Sequence, residues 1–150
     1  ALWGKAEDAL PKLKEKGPVI SFDYADRLDH PFVEKTLPYV DYGFFSYKKS
    51  RDSYIEQYLK DKTDRGMKLA VATFGENGSL AFDGQHFFEG RVYSAKVVNT
   101  VGAGDSFIAG FLYGILTGKS IPEALDKGAK VAAEVVSVFE PWVKRKSIHI

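Results

Sequence analysis

The stretch Val98-Asn99-Thr100-Val101-Gly102-Ala103-Gly104-Asp105-Ser106-Phe107 decides the reading of this chain. It joins a segment of strand character, Tyr93 to Val98, to an almost wholly apolar run that starts at Ala103. Gly102 and Gly104 allow the backbone to approach a ligand closely and to adopt conformations closed to other residues. The first turn of a helix beginning at Ala103 offers unpaired N–H groups and the positive end of the helix dipole, which together favour an anion. Asp105 stands in that turn. A carboxylate repels a phosphate, so binding alone gives no reason for it. Accepting a proton from a hydroxyl that attacks the phosphate does. The residues by themselves leave a second reading open, in which the glycines make a tight turn and Asp105 caps the helix.

Two neighbouring patterns fail on spacing. A dinucleotide fingerprint G-x-G-x-x-G needs a third glycine where Phe107 stands. Gly114-Ile115-Leu116-Thr117-Gly118-Lys119-Ser120 has three residues between its glycines where a P-loop has four, and it follows a helical pattern instead of a strand.

Upstream, the apolar residues Ala6, Ala9, Leu10 and Leu13 recur at helical spacing between Lys5 and Lys16. Pro11 inside this stretch either kinks the helix or marks its first turn. Val19 to Phe22 reads as a buried strand ending at Asp23, and Tyr39 to Phe45 as a second apolar run. Tyr54, Ile55, Tyr58 and Leu59 share a helical face that Arg65-Gly66 closes. Leu69 to Phe74 is a third strand, turned by Gly75-Glu76-Asn77-Gly78, and Ser79 to Phe82 with Gln85 to Phe88 flank Asp83-Gly84 as a hairpin. After the Gly-rich turn come two helices, about Ala103 to Thr117 and about Pro122 to Phe139, broken at Gly118. Strands separated by helices predict parallel pairing, with ligands beyond the carboxyl ends of the strands. Asp23, Asp26, Arg27 and Asp29 follow a strand on that side; they read first as a solvated loop and second as a cleft wall.

Composition narrows the function classes. Over 150 residues, hydrophobic side chains make up 45% and charged ones 27%, ordinary for one globular domain. Lys and Arg number 21 against 20 Asp and Glu, leaving a net charge of +1 and no field to attract nucleic acid or an anionic membrane. Without cysteine there is no disulfide framework, thiolate zinc site or Cys nucleophile. His30, His86 and His149 lack acidic neighbours at metal-ligand spacing, so no protein-held metal is expected. The apolar run Phe107 to Leu116 has about half the length that crosses a bilayer. A soluble, cytoplasmic α/β domain is the expectation. Asn77-Gly78-Ser79 matches a glycosylation acceptor but is read as a turn.

Asn99-Thr100-Val101-Gly102-Ala103-Gly104-Asp105-Ser106-Phe107 resembles the signature of the pfkB (ribokinase-like) carbohydrate kinases, usually D-T-x-G-A-G-D-x-F. Thr73-Phe74-Gly75-Glu76-Asn77-Gly78 is similar to that family's nucleotide-binding T-x-G-x-x-G turn. The resemblance implies the C-terminal part of a three-layer α/β/α fold with a mostly parallel sheet. Residues 1–150 would then be a single domain truncated on its N-terminal side, beginning partway through a larger fold at Ala1-Leu2-Trp3. It further implies ATP-dependent phosphorylation of a hydroxyl on a sugar or amino-sugar conjugate. Asp105 would be the general base, and the N–H groups of Gly102, Ala103 and Gly104 the anion hole. Thr73, Phe74, Gly75, Glu76, Asn77 and Gly78 would lie along the nucleotide. Gly128, with Ala129 and Ala132, would wall the adenine, ordinary helix packing being an equal reading. Mg²⁺ would be held mainly through phosphates and water. A homodimer through a lid outside this chain is also implied.

Three departures accompany the resemblance. Asn99 stands where the pattern has Asp, which removes a carboxylate tied in relatives to a monovalent cation. Ser46-Tyr47-Lys48-Lys49 occupies the place of the family's metal-linked N-x-x-E and carries no acid. The half of the family fold that bears the sugar-binding residues and lid has no counterpart here. Two function classes therefore stay open: a sugar kinase completed by further polypeptide, and a nucleotide-binding module without chemistry of its own.

Overall fold

The computed structural model describes residues 8–137. They fall into two compact units divided between Gly90 and Arg91. The first contains α1 (Leu10–Lys14), β1 (Ser21–Asp23), α2 (Pro31–Thr36), β2 (Tyr42–Ser46), α3 (Ser53–Asp64), β3 (Leu69–Thr73), β4 (Ser79–Phe82) and β5 (Phe87–Gly90). The second contains α4 (Ala103–Leu116) and α5 (Ile121–Val136).

In the first unit one five-stranded sheet runs in the order β1-β2-β3-β4-β5. β1, β2 and β3 pair in parallel, while β4 and β5 complete the sheet antiparallel. Leu69 to Ala72 of β3 are all buried, as expected of a strand covered on both faces. On α3, Ile55 and Leu59 are fully buried one turn apart, and Asp52 caps the helix by accepting from the Ile55 N–H at 3.0 Å. Tyr24, just past β1, is fully buried and stacks on Phe45 with ring centres 4.9 Å apart. Its hydroxyl shares a 2.9 Å hydrogen bond with Thr36 Oγ1. Burial pushes that hydroxyl up to about 12.

A buried carboxylate fastens α1 to the sheet. Asp41 accepts from Lys14 Nζ at 2.5 Å and from the Ile20 N–H at 2.9 Å, and pairs with Lys68 Nζ at 3.1 Å. Burial alone would raise its pKa. The donors from Lys14, Ile20 and Lys68 outweigh that and hold it at about 2.

Several expectations are refined or corrected. Pro11 lies in the first turn of α1 and does not kink it; the part of the expected helix before residue 8, and Ala1-Leu2-Trp3, lie outside the described residues. The Asp83-Gly84 turn is present, but Asp83 Oδ1 accepts from the N–H groups of Gln85 and His86 at 2.8 and 2.7 Å. Those donors are spent on the turn, so β5 starts at Phe87 and not at Gln85. Tyr93 to Val98 is not a strand: it has no ladder partner among the described residues, and Val97 is 63% exposed. β-branched residues favour an extended backbone, but only a neighbouring strand makes a ladder. Here Val98 and Asn99 donate their N–H groups to a helix end, Val136 O. The helix expected between the first two strands is α2, six residues long, although the sequence marks no bounds for it. Phe139, the expected end of α5, lies outside the described residues.

Candidate active site

The second unit carries the turn before α4. Gly102 is the helix N-cap with φ 81° and ψ 0°, the left-handed region that glycine enters without strain. Asn99 Oδ1 accepts from the Val101 N–H at 3.0 Å and Thr100 O accepts from the Ala103 N–H at 3.2 Å, which fixes the approach to the helix. The first intrahelical bond runs from the Ser106 N–H to Gly102 O at 2.9 Å. Gly104 and Asp105 therefore sit in the first turn, whose N–H groups have no intrahelical acceptor. Asp105 is exposed, and no side chain caps this helix. Its carboxylate is thus not engaged in the capping role that the residues alone left open.

Close helix packing places that turn. A Cβ on Gly110 would come within 3.0 Å of Gly128 Cα, and one on Gly114 within 2.9 Å of Ala124 Cα. A Cβ on Gly128 would meet Phe107 O at 2.8 Å. Gly128 therefore faces α4, as the packing reading requires. α5 is anchored by a reciprocal cap in which Glu123 Oε2 accepts from the Ser120 N–H at 2.9 Å.

The first unit carries the other candidate residues. Thr73 ends β3, Phe74 is buried beneath the turn, and Gly75–Asn77 forms a single 3₁₀ turn. The Phe74 N–H donates to Gly78 O at 2.8 Å and closes the loop. Gly78, at φ 96° and ψ −147°, adopts a conformation essentially restricted to glycine as the chain enters β4. Gly75, Glu76 and Asn77 present an exposed edge at the carboxyl end of β3.

Beside that turn lies a cleft of about 800 Å³ at the carboxyl ends of β1 and β2. Asp26, Arg27 and Asp29 line one side, and Tyr47, Lys48, Lys49 and Tyr54 line others. The charged loop after β1 is thus exposed, as a solvated loop is, and also forms a cleft wall. Sequence reasoning missed Tyr47 and Tyr54, whose rings lie 5.8 Å apart and 24° from parallel. Tyr54 looked like part of the apolar face of α3, and only its place at the start of that helix turns it to the cleft. Tyr47 Oη donates to Asp52 at 2.7 Å; this bond is the largest cause that pushes the hydroxyl up to about 12.

Among the described residues, no group of three His, Cys, Asp or Glu side chains could hold an ion. From the last residue of β2, Ser46-Tyr47-Lys48-Lys49 carries no acid. Among the same residues, no helix is long and apolar enough to cross a membrane.

The chain is similar to known proteins along most of its length. It is 38% identical over 142 residues to the fructoselysine 6-kinase of Escherichia coli (strain K12), covering 95% of this chain and 54% of that protein. Among solved structures it is similar to the microbiome-derived acarbose kinase Mak1, with a TM-score of 0.80, 26% identity and coverage of 92% of this chain and 48% of that one. A ribokinase-like protein from E. coli in complex with ATP and Mg²⁺ shares the fold at a TM-score of 0.79 and 22% identity, covering 91% of this chain and 48% of that one. The chain spans about half the length of the curated relatives it matches. Its sheet and helices are those of part of a ribokinase-like α/β fold. Residues 44–141 match the model of the pfkB family carbohydrate kinases, and the chain belongs to that family of sugar phosphotransferases.

Proposed function

We propose that this chain carries the nucleotide turn and the catalytic end of a kinase that transfers the γ-phosphoryl group of ATP to a hydroxyl of fructoselysine or a similar fructosamine. The observation that carries the reading is Asp105, an exposed carboxylate free of any capping bond in the first turn of α4 behind the left-handed Gly102. Asp105 takes the proton from the attacking hydroxyl. The new P–O bond forms on the sugar oxygen as the bond to the ADP oxygen breaks. N–H groups of Gly102 and Gly104 receive the charge that develops on the transferred group, the Ala103 N–H being donated to Thr100 O. Thr73 to Gly78 hold the nucleotide along the exposed edge of their turn. Ala129 and Ala132 wall the adenine, with Gly128 setting the spacing of α5. Mg²⁺ is left to phosphate oxygens and water, because Ser46 to Lys49 carry no acid and Asp52 is taken up in capping α3.

A second reading, a nucleotide-binding module without chemistry, is favoured by that same missing acid. One experiment separates them. The longest polypeptide containing this chain is assayed for ADP release from Mg-ATP with fructoselysine, beside its Asp105→Asn variant. The kinase reading expects turnover that falls about 10³-fold in the variant while ATP binding persists. Equal rates for the two proteins would make Asp105 a bystander, and ATP binding with no ADP release would favour the module.

A further inference from the structure

The cleft at the carboxyl ends of β1 and β2 has no part in phosphoryl transfer as described above, yet it lies where ligands of α/β sheets bind. It borders the nucleotide turn: the Tyr47 N–H donates to Thr73 O at 2.9 Å, and the Tyr47 ring meets Phe74 edge-on at 6.2 Å. Its lining charges balance, with Asp26, Asp29 and Asp52 against Arg27, Lys48 and Lys49. Such a lining does not select a polyanion like a triphosphate. It suits a ligand that carries both signs.

The charges are not equally committed. Lys48 pairs with Asp26 at 3.1 Å, and Asp52 caps α3 and accepts from Tyr47 Oη. Asp29 accepts from Tyr54 Oη at 3.2 Å, and neither it nor Lys49 holds an ion pair among the described residues. In the same lining the near-parallel Tyr47 and Tyr54 rings form an apolar wall of the kind that accepts a methylene chain.

We propose that this cleft binds the free amino-acid end of the substrate, the α-ammonium at Asp29, the α-carboxylate at Lys49, and the methylenes along Tyr47 and Tyr54. The proposal rests on the fructosamine reading above. A lysine joined to the sugar through its side-chain nitrogen keeps both charged α-groups and presents them on a flexible four-carbon arm. The cleft then sets which sugar–amine conjugate is accepted, and the phosphoryl-transfer residues set what is done to it.

The test uses the longest polypeptide containing this chain, with saturating Mg-ATP and two substrates: fructoselysine and a fructosyl-alkylamine lacking both α-groups. Asp29→Asn and Lys49→Gln are each expected to raise KM for fructoselysine about fivefold, the scale of a partly exposed ion pair. kcat, KM for ATP and KM for the uncharged conjugate stay unchanged, and Lys49→Arg recovers most of the loss. Calorimetry of fructoselysine binding without ATP is expected to give the same ranking. Unchanged KM values, equal losses for both substrates, or a raised KM for ATP alone would each overturn the proposal. The two readings fail separately. Unsubstituted protein that binds fructoselysine with the expected variant ranking but never phosphorylates it overturns the kinase and supports the cleft. Phosphorylation of both conjugates at equal KM overturns the cleft and supports the kinase. Neither binding nor turnover overturns both.

Discussion

At the scale of single residues, Asp105 and Gly102 carry opposite kinds of expectation. Asp105 makes no capping bond, so under the proposed role its removal is expected to cost chemistry and not fold. Asp105→Asn is expected to leave the thermal midpoint within about 2 °C of the unsubstituted protein, since surface changes rarely exceed half a kcal/mol. kcat nevertheless falls about 10³-fold. A drop in stability without loss of rate would return the residue to a capping role. Gly102 is the reverse case. At φ 81° a Cβ meets the following carbonyl, so Gly102→Ala is expected to cost about 1 kcal/mol, read by chemical denaturation. It also shifts the N–H groups proposed to face the transferred phosphoryl, so kcat is expected to fall with it.

At the scale of elements, contacts between helices and between helix and sheet decide stability. α4 and α5 approach so closely that a methyl on Gly114 would lie 2.9 Å from the backbone of Ala124. Neither partner can yield like the end of a flexible side chain, so Gly114→Ala is expected to cost about 1–3 kcal/mol in urea unfolding. Asp41 gives a pH signature. Its carboxyl titrates at about 2 in the folded chain against an ordinary 3.8. A lowered carboxyl pKa stabilises the fold fully above the unfolded value, and the contribution is lost as pH falls from about 4 toward 2. Its side chain is only 5% exposed, so that contribution is on the order of 2 kcal/mol. Asp41→Asn is therefore expected to lower stability at neutral pH and to flatten its dependence between about pH 4 and 2. An identical acid profile in the variant would assign that slope to other carboxylates.

At the scale of the whole molecule, the turn proposed for the nucleotide belongs to the first unit and the turn proposed for catalysis to the second. The chain spans about half the length of its curated relatives. The 150-residue chain expressed by itself is expected to bind Mg-ATP and to release no ADP with fructoselysine. A polypeptide spanning the relatives' full length is expected to turn over. Calorimetry and a coupled ADP assay check both, and turnover by the short chain alone would show that it holds a complete sugar site.

What the sequence determined by itself were the features that depend on near neighbours. Gly102 needed no fold to be recognised, because a glycine before a helix start is a matter of local backbone sterics. The helices α3, α4 and α5 and the buried strand β3 were legible for the same reason, in periodicity and capping residues. The motifs around Gly75 and Gly102 likewise identified the family from contiguous residues. Tertiary structure decided whatever needs a partner distant in sequence. Tyr93 to Val98 had strand-forming residues but no ladder. Asp83 moved the start of β5 by taking two N–H groups for its turn. The cleft joins a loop after β1, a loop after β2 and the first turn of α3, and no periodicity records such a meeting. A side chain's propensity is local, whereas a ladder, a buried ion pair or a cleft exists only once the chain has folded back to supply the other half.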